Sequence, residues 1–188
     1  MTKTIYAPGH YYHIYNRGVE CRPIFLNDRN WGFFIQRLHH YFVDEAAHII
    51  AYCLMPNHYH LLVHVLCEDF GRTVMQPFST SYTKAVNQEQ NRVGHLFQGR
   101  YKGKLIDKNA YLFHLSRYIH RNPVAAGLVS HPADWAFSSY RDYVGLRKGT
   151  LPKPAVVLEQ FASVAAYAAY VEEGDDRHGQ IGHLLFDE

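Results

Sequence analysis

His48-Ile49-Ile50-Ala51-Tyr52-Cys53-Leu54-Met55-Pro56-Asn57-His58-Tyr59-His60-Leu61-Leu62-Val63-His64-Val65 is the stretch that decides the fold. Both halves are rich in β-branched and aromatic residues, which suit a pleated, packed strand, and Pro56-Asn57 interrupts them as a tight turn does. Two strands joined in this way form an antiparallel hairpin. In the second strand side chains alternate, so Tyr59, Leu61, Val63 and Val65 share the core face while His58 and His60 share the other.

Working outward, His10 to Tyr15 is aromatic and β-prone and stops at the turn signal Asn16-Arg17-Gly18, which predicts a first strand. Asn27-Asp28 caps a helix in which Trp31, Phe34, Ile35, Leu38 and Phe42 recur at helical spacing until about Asp44. After the hairpin, Phe70, Val74, Phe78, Tyr82 and Val86 predict a second helix within Phe70 to Asn91, with Pro77 marking a kink or a fresh start. Leu96 to Ile106 reads as a basic strand. Asp107 or Asn109 then caps a third helix with the apolar stripe Tyr111, Leu112, Leu115 and Ile119, which ends where Asn122 meets Pro123. The order β-α-β-β-α-β-α gives an α+β fold, a ferredoxin-like antiparallel sheet with helices on one face. Trp135 to Tyr140 is an aromatic anchor, Lys148 to Pro154 a linker, and Ala155 to Glu172 a last helix. The division expected is a domain over residues 1–147 and a C-terminal helical extension over 148–188, packed on it or tethered to it.

At 188 residues the chain can bury a core without disulfides or structural metal, and 15 tyrosines, 11 phenylalanines and 2 tryptophans exclude a disordered polymer. No run approaches the roughly 18 apolar residues of a membrane span, and the N-terminus has no signal-peptide core, so no membrane role is expected and the cytoplasm is the expected location. Cys21, Cys53 and Cys67 lack metal-knuckle or disulfide spacing and read as reduced thiols. The net charge of +2 hides an asymmetry: 17 Lys+Arg against 10 Asp+Glu in residues 1–150, then 2 against 7 in residues 151–188. Between Gly94 and Arg121, Arg100, Lys102, Lys104, Lys108, Arg117 and Arg121 face only Asp107, and Phe97, Tyr101, Tyr111 and Phe113 are interleaved with them. That composition neutralises phosphates and stacks unpaired bases; it is also that of an ordinary solvated face.

Two imidazoles side by side on one strand can point at one divalent cation, although a lone His-x-His pair is also what a half-exposed polar strand offers. His114, Tyr118 and Asn122 stand at i, i+4 and i+8, so one helix face presents a phenol and a carboxamide together. Spacing alone leaves Tyr118 a flanking aromatic and Asn122 a helix terminator.

The combination resembles a known family. Met55-Pro56-Asn57-His58-Tyr59-His60-Leu61-Leu62 resembles the His-hydrophobic-His region of the one-tyrosine HUH single-strand DNA transposases of insertion sequences. Phe97-Gln98-Gly99-Arg100-Tyr101-Lys102 and Arg117 to Leu128 resemble two further blocks of their REP-associated branch, as do Tyr12 to Gly18 and Trp135 to Tyr140, so the similarity runs in order through residues 10–145. It implies that Tyr118 is the nucleophile and that His58, His60 and Asn122 hold a divalent metal, Mg2+ or Mn2+. The activity implied is cleavage and rejoining of single-stranded DNA at hairpin, REP-like palindromes through a 5′-phosphotyrosine, with Asn16, Arg17, Arg100, Tyr101, Lys102, Lys104, Arg117 and Arg121 contacting the DNA. Tyr59 replaces the usual aliphatic between the histidines, and Asn122 stands where relatives outside the branch carry Gln or Glu. The rival readings are a domesticated hairpin-binding regulator that no longer cuts, and a hydrolase using the His pair to activate water. The latter would want a further metal motif after His60, where Leu61-Leu62-Val63-His64 stands instead. The sequence does not decide between monomer and homodimer.

Overall fold

The computed structural model describes residues 5–107, 110–173 and 182. Its elements are β1 (Tyr11–Arg17), α1 (Asp28–Tyr41), β2 (Ala47–Met55), β3 (His58–Val65), α2 (Gln76–Glu89), β4 (Lys102–Ile106), α3 (Ala110–Ala125), α4 (Tyr140–Tyr143), α5 (Ala155–Leu158) and α6 (Val164–Glu172). The strands form one antiparallel sheet in the order β2-β3-β1-β4, the split βαβ arrangement of the ferredoxin-like plan.

The alternation of β3 sorts the two sides. Tyr59, Leu61 and Val63 join Tyr12 and Ile14 of β1 in a core closed by Phe34 and Leu38 of α1 and Phe78, Tyr82 and Val86 of α2. Asn27 caps α1, its side chain accepting from the Asn30 amide at 3.2 Å. Pro77 falls in the first turn of α2, which continues directly from a π-helical turn over Gly71–Met75.

Helices on one face describe α1 and α2; α3 crosses the opposite face. There Leu112, Leu115 and Ile119 pack on Ile50, Ala51, Cys53 and Met55 of β2 and on Leu62 of β3. The physical signature is β2 itself: a bulge between Ile49 and Ala51 breaks its alternation, and its residues are buried almost without interruption. A strand covered on both faces reads as a continuous apolar run. Val157, Tyr167 and Val171 of α5 and α6 complete this second core against α3.

Three boundaries differ from the sequence reading. The basic strand is only Lys102–Ile106; before it Phe97 makes an isolated bridge to Gly18 and the chain loops. The last helix is two pieces, because Ser163 starts α6 afresh, its side chain accepting from the Ala166 amide. Most consequentially, α3 does not stop at Asn122. Pro123 forfeits one backbone bond, but the helix runs on and closes with Gly127 at φ +68°, where the Leu128 amide bonds Pro123 O and the Gly127 amide bonds Val124 O. Asn122 is thus held in regular helix one turn beyond Tyr118. The expected cap Asn109, the cation Lys108 and the extension beyond Glu173, Gly182 apart, lie outside the described residues.

Candidate active site

The site forms where the start of β3 passes under the end of α3. His60 is fully buried and His58 half-buried, and their rings meet edge to face with centroids 4.9 Å apart. The Asn57 amide donates to Cys21 O, which turns its Oδ1 toward His58 Nδ1 at 2.7 Å. An acceptor there fixes the proton on Nδ1, so the neutral His58 ring presents the Nε2 lone pair. That lone pair faces Asn122 Oδ1 at 3.4 Å, while Asn122 Nδ2 donates to Tyr118 O. An imidazole nitrogen and a carboxamide oxygen at this distance can share a proton or, with Nε2 unprotonated, both turn lone pairs to one cation.

His60 Nδ1 lies 3.0 Å from His13 Nε2 of β1, the two rings nearly parallel. Burial, and after it the neighbouring His13 and His58, hold the His60 imidazole well below its ordinary pKa, against a hydrogen bond to Asn122 that pushes the other way. A neutral imidazole offers a lone pair, as a metal ligand must. The Tyr118 ring stands over this pair, its centroid 5.4 Å from that of His60 and 6.2 Å from that of His13. Tyr118, His58, His60 and Asn122 therefore converge. Among the described residues no three His, Cys, Asp or Glu side chains gather to hold a metal, so the amide of Asn122 is the third donor the arrangement offers beside the two imidazoles.

His13 is the site residue that motif reading passed over. It stands inside the Tyr12-His13-Ile14-Tyr15 run, and alternation sets it on the face opposite Tyr12 and Ile14; only the register of β1 against β3 brings it to His60. His114 Nδ1 lies 2.7 Å from the Tyr170 hydroxyl of α6.

The basic residues divide. Register sets Lys104 opposite His13 and Lys102 opposite Tyr15, so both lysines project from the site face, with the Lys104 ammonium 5.8 Å from the Tyr15 ring. Arg17 pairs with His58 across β1 and β3, and its Nε donates to Gln98 Oε1. Arg100 is exposed. The other four take different positions from those expected. Tyr101 is buried in the core on the opposite face of the sheet, its hydroxyl donating to Gly71 O, so its ring does not front the Tyr118 face. Asn16 is buried too: its amide donates to Gly99 O and accepts from the Arg17 amide, which shapes the loop 97–101 from below. Arg117 lies over the Tyr170 ring at 4.7 Å, and Arg121 donates to the Val171 and Glu172 carbonyls at the end of α6. Both guanidiniums are turned toward the extension, where a cation near a helix C-terminus is favourably placed.

A solved structure described as a REP-associated tyrosine transposase bound to a REP hairpin superposes with a TM-score of 0.62 at 21% identity, covering 77% of this chain and 85% of that one. The fold is thus that of a tyrosine transposase. The chain belongs to the IS200-like transposase family, whose profile matches residues 7–122 and so takes in His58, His60, Tyr118 and Asn122. A Haemophilus influenzae (strain Rd) protein provisionally described as a REP-associated tyrosine transposase is 28% identical over 101 residues, 48% of this chain and 57% of that protein. The chain therefore matches little more than half the length of that relative. Among the described residues no helix is long and apolar enough to cross a membrane.

Proposed function

We propose that this protein cleaves and rejoins single-stranded DNA beside hairpin, REP-like palindromes, with Tyr118 as nucleophile and a divalent metal, Mg2+ or Mn2+, held by His58, His60 and Asn122. The observation that carries the reading is the meeting of the Tyr118 ring with the buried His60, beside the 3.4 Å approach of His58 Nε2 to Asn122 Oδ1. Transposases of this family are generally metal-dependent. Two neutral imidazoles and an amide oxygen suit a cation that keeps open positions for phosphate oxygens. When bound, the metal supplies charge stabilisation of the non-bridging oxygens as attack builds negative charge on them.

The chain's own residues do the rest. Tyr118 Oη gives up its proton and forms a bond to phosphorus; the bond from phosphorus to the 3′ oxygen breaks, and that oxygen leaves as a 3′-hydroxyl once protonated. The DNA 5′ end is then joined to Tyr118. Because a phosphodiester is exchanged for a phosphotyrosine diester, no nucleotide cofactor is needed, and a 3′-hydroxyl attacking the adduct restores a DNA strand and the free phenol. Asn57 and His13 fix the imidazole orientations on which this depends. Lys102, Lys104 and Arg17 on the same face meet the incoming phosphates.

The hairpin partner is suggested by the ligand of the structural relative. A water-activating hydrolase would leave DNA free in solution, and a regulator would bind it without a break. Incubation with labelled hairpin oligonucleotides and Mn2+ separates the three: a denaturant-resistant protein–DNA band supports the proposal, and clean cleavage without a band, or no cleavage, overturns it.

A further inference from the structure

On the other face of the sheet, between α2 and the loop that carries Phe97 to Tyr101, lies a cavity of about 450 Å3. It falls within the roughly 300–1,000 Å3 range of small-ligand sites. One wall is apolar, made by the buried Phe97 and Tyr101. The other is the α2 stripe Thr80, Thr83 and Lys84, adjacent residues at helical spacing, and Arg100 stands at the rim. Thr80, Thr83 and Lys84 make no side-chain hydrogen bond to another described residue, and neither Lys84 nor Arg100 is paired with a carboxylate among them.

These properties constrain the occupant. Two uncompensated cations disfavour an apolar or cationic ligand, and a bare phosphate would leave the aromatic wall and most of the volume without a partner. A flat group with polar edges joined to a phosphate satisfies all of them. The cavity lies at the same end of β1 as the site already described: Asn16 in its lining precedes Arg17, the register partner of His58, and the two face opposite sides of the sheet.

We propose that this cavity is a base-recognition pocket that takes one unpaired nucleotide of the bound DNA, its base against Phe97 and Tyr101 with its edge on the Thr80 and Thr83 hydroxyls, and its phosphate between Lys84 and Arg100. The strand reaches it by passing the Arg17–Gln98 edge from the Tyr118 face. The inference rests on the single-strand DNA reading and adds where one base is read.

The test uses the full chain and a fluorescent oligonucleotide hairpin with single-stranded flanks, each flank nucleotide replaced in turn by an abasic residue. One replacement should weaken wild-type binding about tenfold or more, the loss of one base–aromatic contact. Thr80→Phe, at an exposed helix position, should fill the cavity, weaken binding to the same degree and abolish the abasic penalty, while hairpins without flanks bind wild type and variant alike. Thr83→Val, which removes a hydroxyl at nearly constant volume, should reduce discrimination among bases at that one position. If wild type binds the flanked hairpin but ignores every abasic replacement, or Thr80→Phe retains both affinity and penalty, the pocket assignment is wrong and the DNA reading stands. If wild type binds none of the oligonucleotides, both fall.

Discussion

His13 Nε2 sits 3.0 Å from His60 Nδ1, with both rings fully buried between the sheet and α3. One imidazole thereby orients another, as outer-shell partners of metal ligands do, and such partners typically contribute 10- to 100-fold in metal affinity. His13→Phe should accordingly weaken Mn2+ binding, measured by calorimetry, about 10- to 100-fold. His13→Gln, which restores a polar atom near the lost nitrogen, should recover part of it. Equal Mn2+ affinity in wild type and His13→Phe would show that the contact only fills space.

The cationic edge of β4 makes a separate prediction. If Lys102 and Lys104 neutralise DNA phosphates, replacing both with Gln should weaken hairpin binding for every sequence tried and reduce the slope of log affinity against log salt by about 2. A slope that survives both changes would put the DNA path elsewhere.

A buried network ties the extension to α3. His120 Nδ1 lies 2.8 Å from the Tyr167 hydroxyl and its Nε2 2.8 Å from Ser139 Oγ, in a setting lined by Tyr140 and Tyr143. Burial lowers the His120 pKa to about 3 from an unfolded value of 6.5. The unfolded chain therefore binds the extra proton first. Stability should be unaffected by this residue above about pH 6.5 and should fall progressively as pH drops from there toward 3. Urea midpoints measured across that range should show the decline, and His120→Gln should make it shallower, His60 and His64, also held below their ordinary values by burial, contributing to the remainder. An acid limb identical in the variant would locate the proton uptake elsewhere.

Arg147 joins the Asp142 carboxylate, the Ala136 and Ser138 carbonyls and the Tyr52 hydroxyl, which seats the segment before α4 on β2. Asp142 is 5% exposed and Arg147 32%, so Arg147→Ala leaves a nearly buried carboxylate alone. The cost should be about 2–3 kcal/mol, below that of breaking a fully buried pair because solvent reaches the guanidinium. A change under about 0.5 kcal/mol in chemical denaturation would contradict this.

How much of this was legible in the sequence differs by element. The β2–β3 hairpin, the α1 cap at Asn27 and the facing of His58 and His60 follow from local rules, alternation and turn chemistry, which need no tertiary information. Tyr118 and Asn122 were legible as a pair from helical spacing, but their meeting with the histidines depends on α3 crossing the far face. The uninterrupted apolar character of β2 was the signal for that second layer. His13 was hidden because strand register is a long-range property, and Asn16 and Tyr101 because a polar tip reads as exposed until the backbone carbonyl that satisfies it is seen. The continuation of α3 through Pro123 went against a local preference, which packing of the helix on β2 overrides.

The most direct measurement is the identity of the residue that carries DNA after reaction. With Mn2+ and a flanked hairpin, peptide mass spectrometry of the trapped adduct should find a nucleotide attached through its 5′ phosphate to Tyr118, and Tyr118→Phe should give no adduct while binding the hairpin with nearly unchanged affinity. An adduct on another tyrosine, or one that persists in Tyr118→Phe, would contradict the assignment.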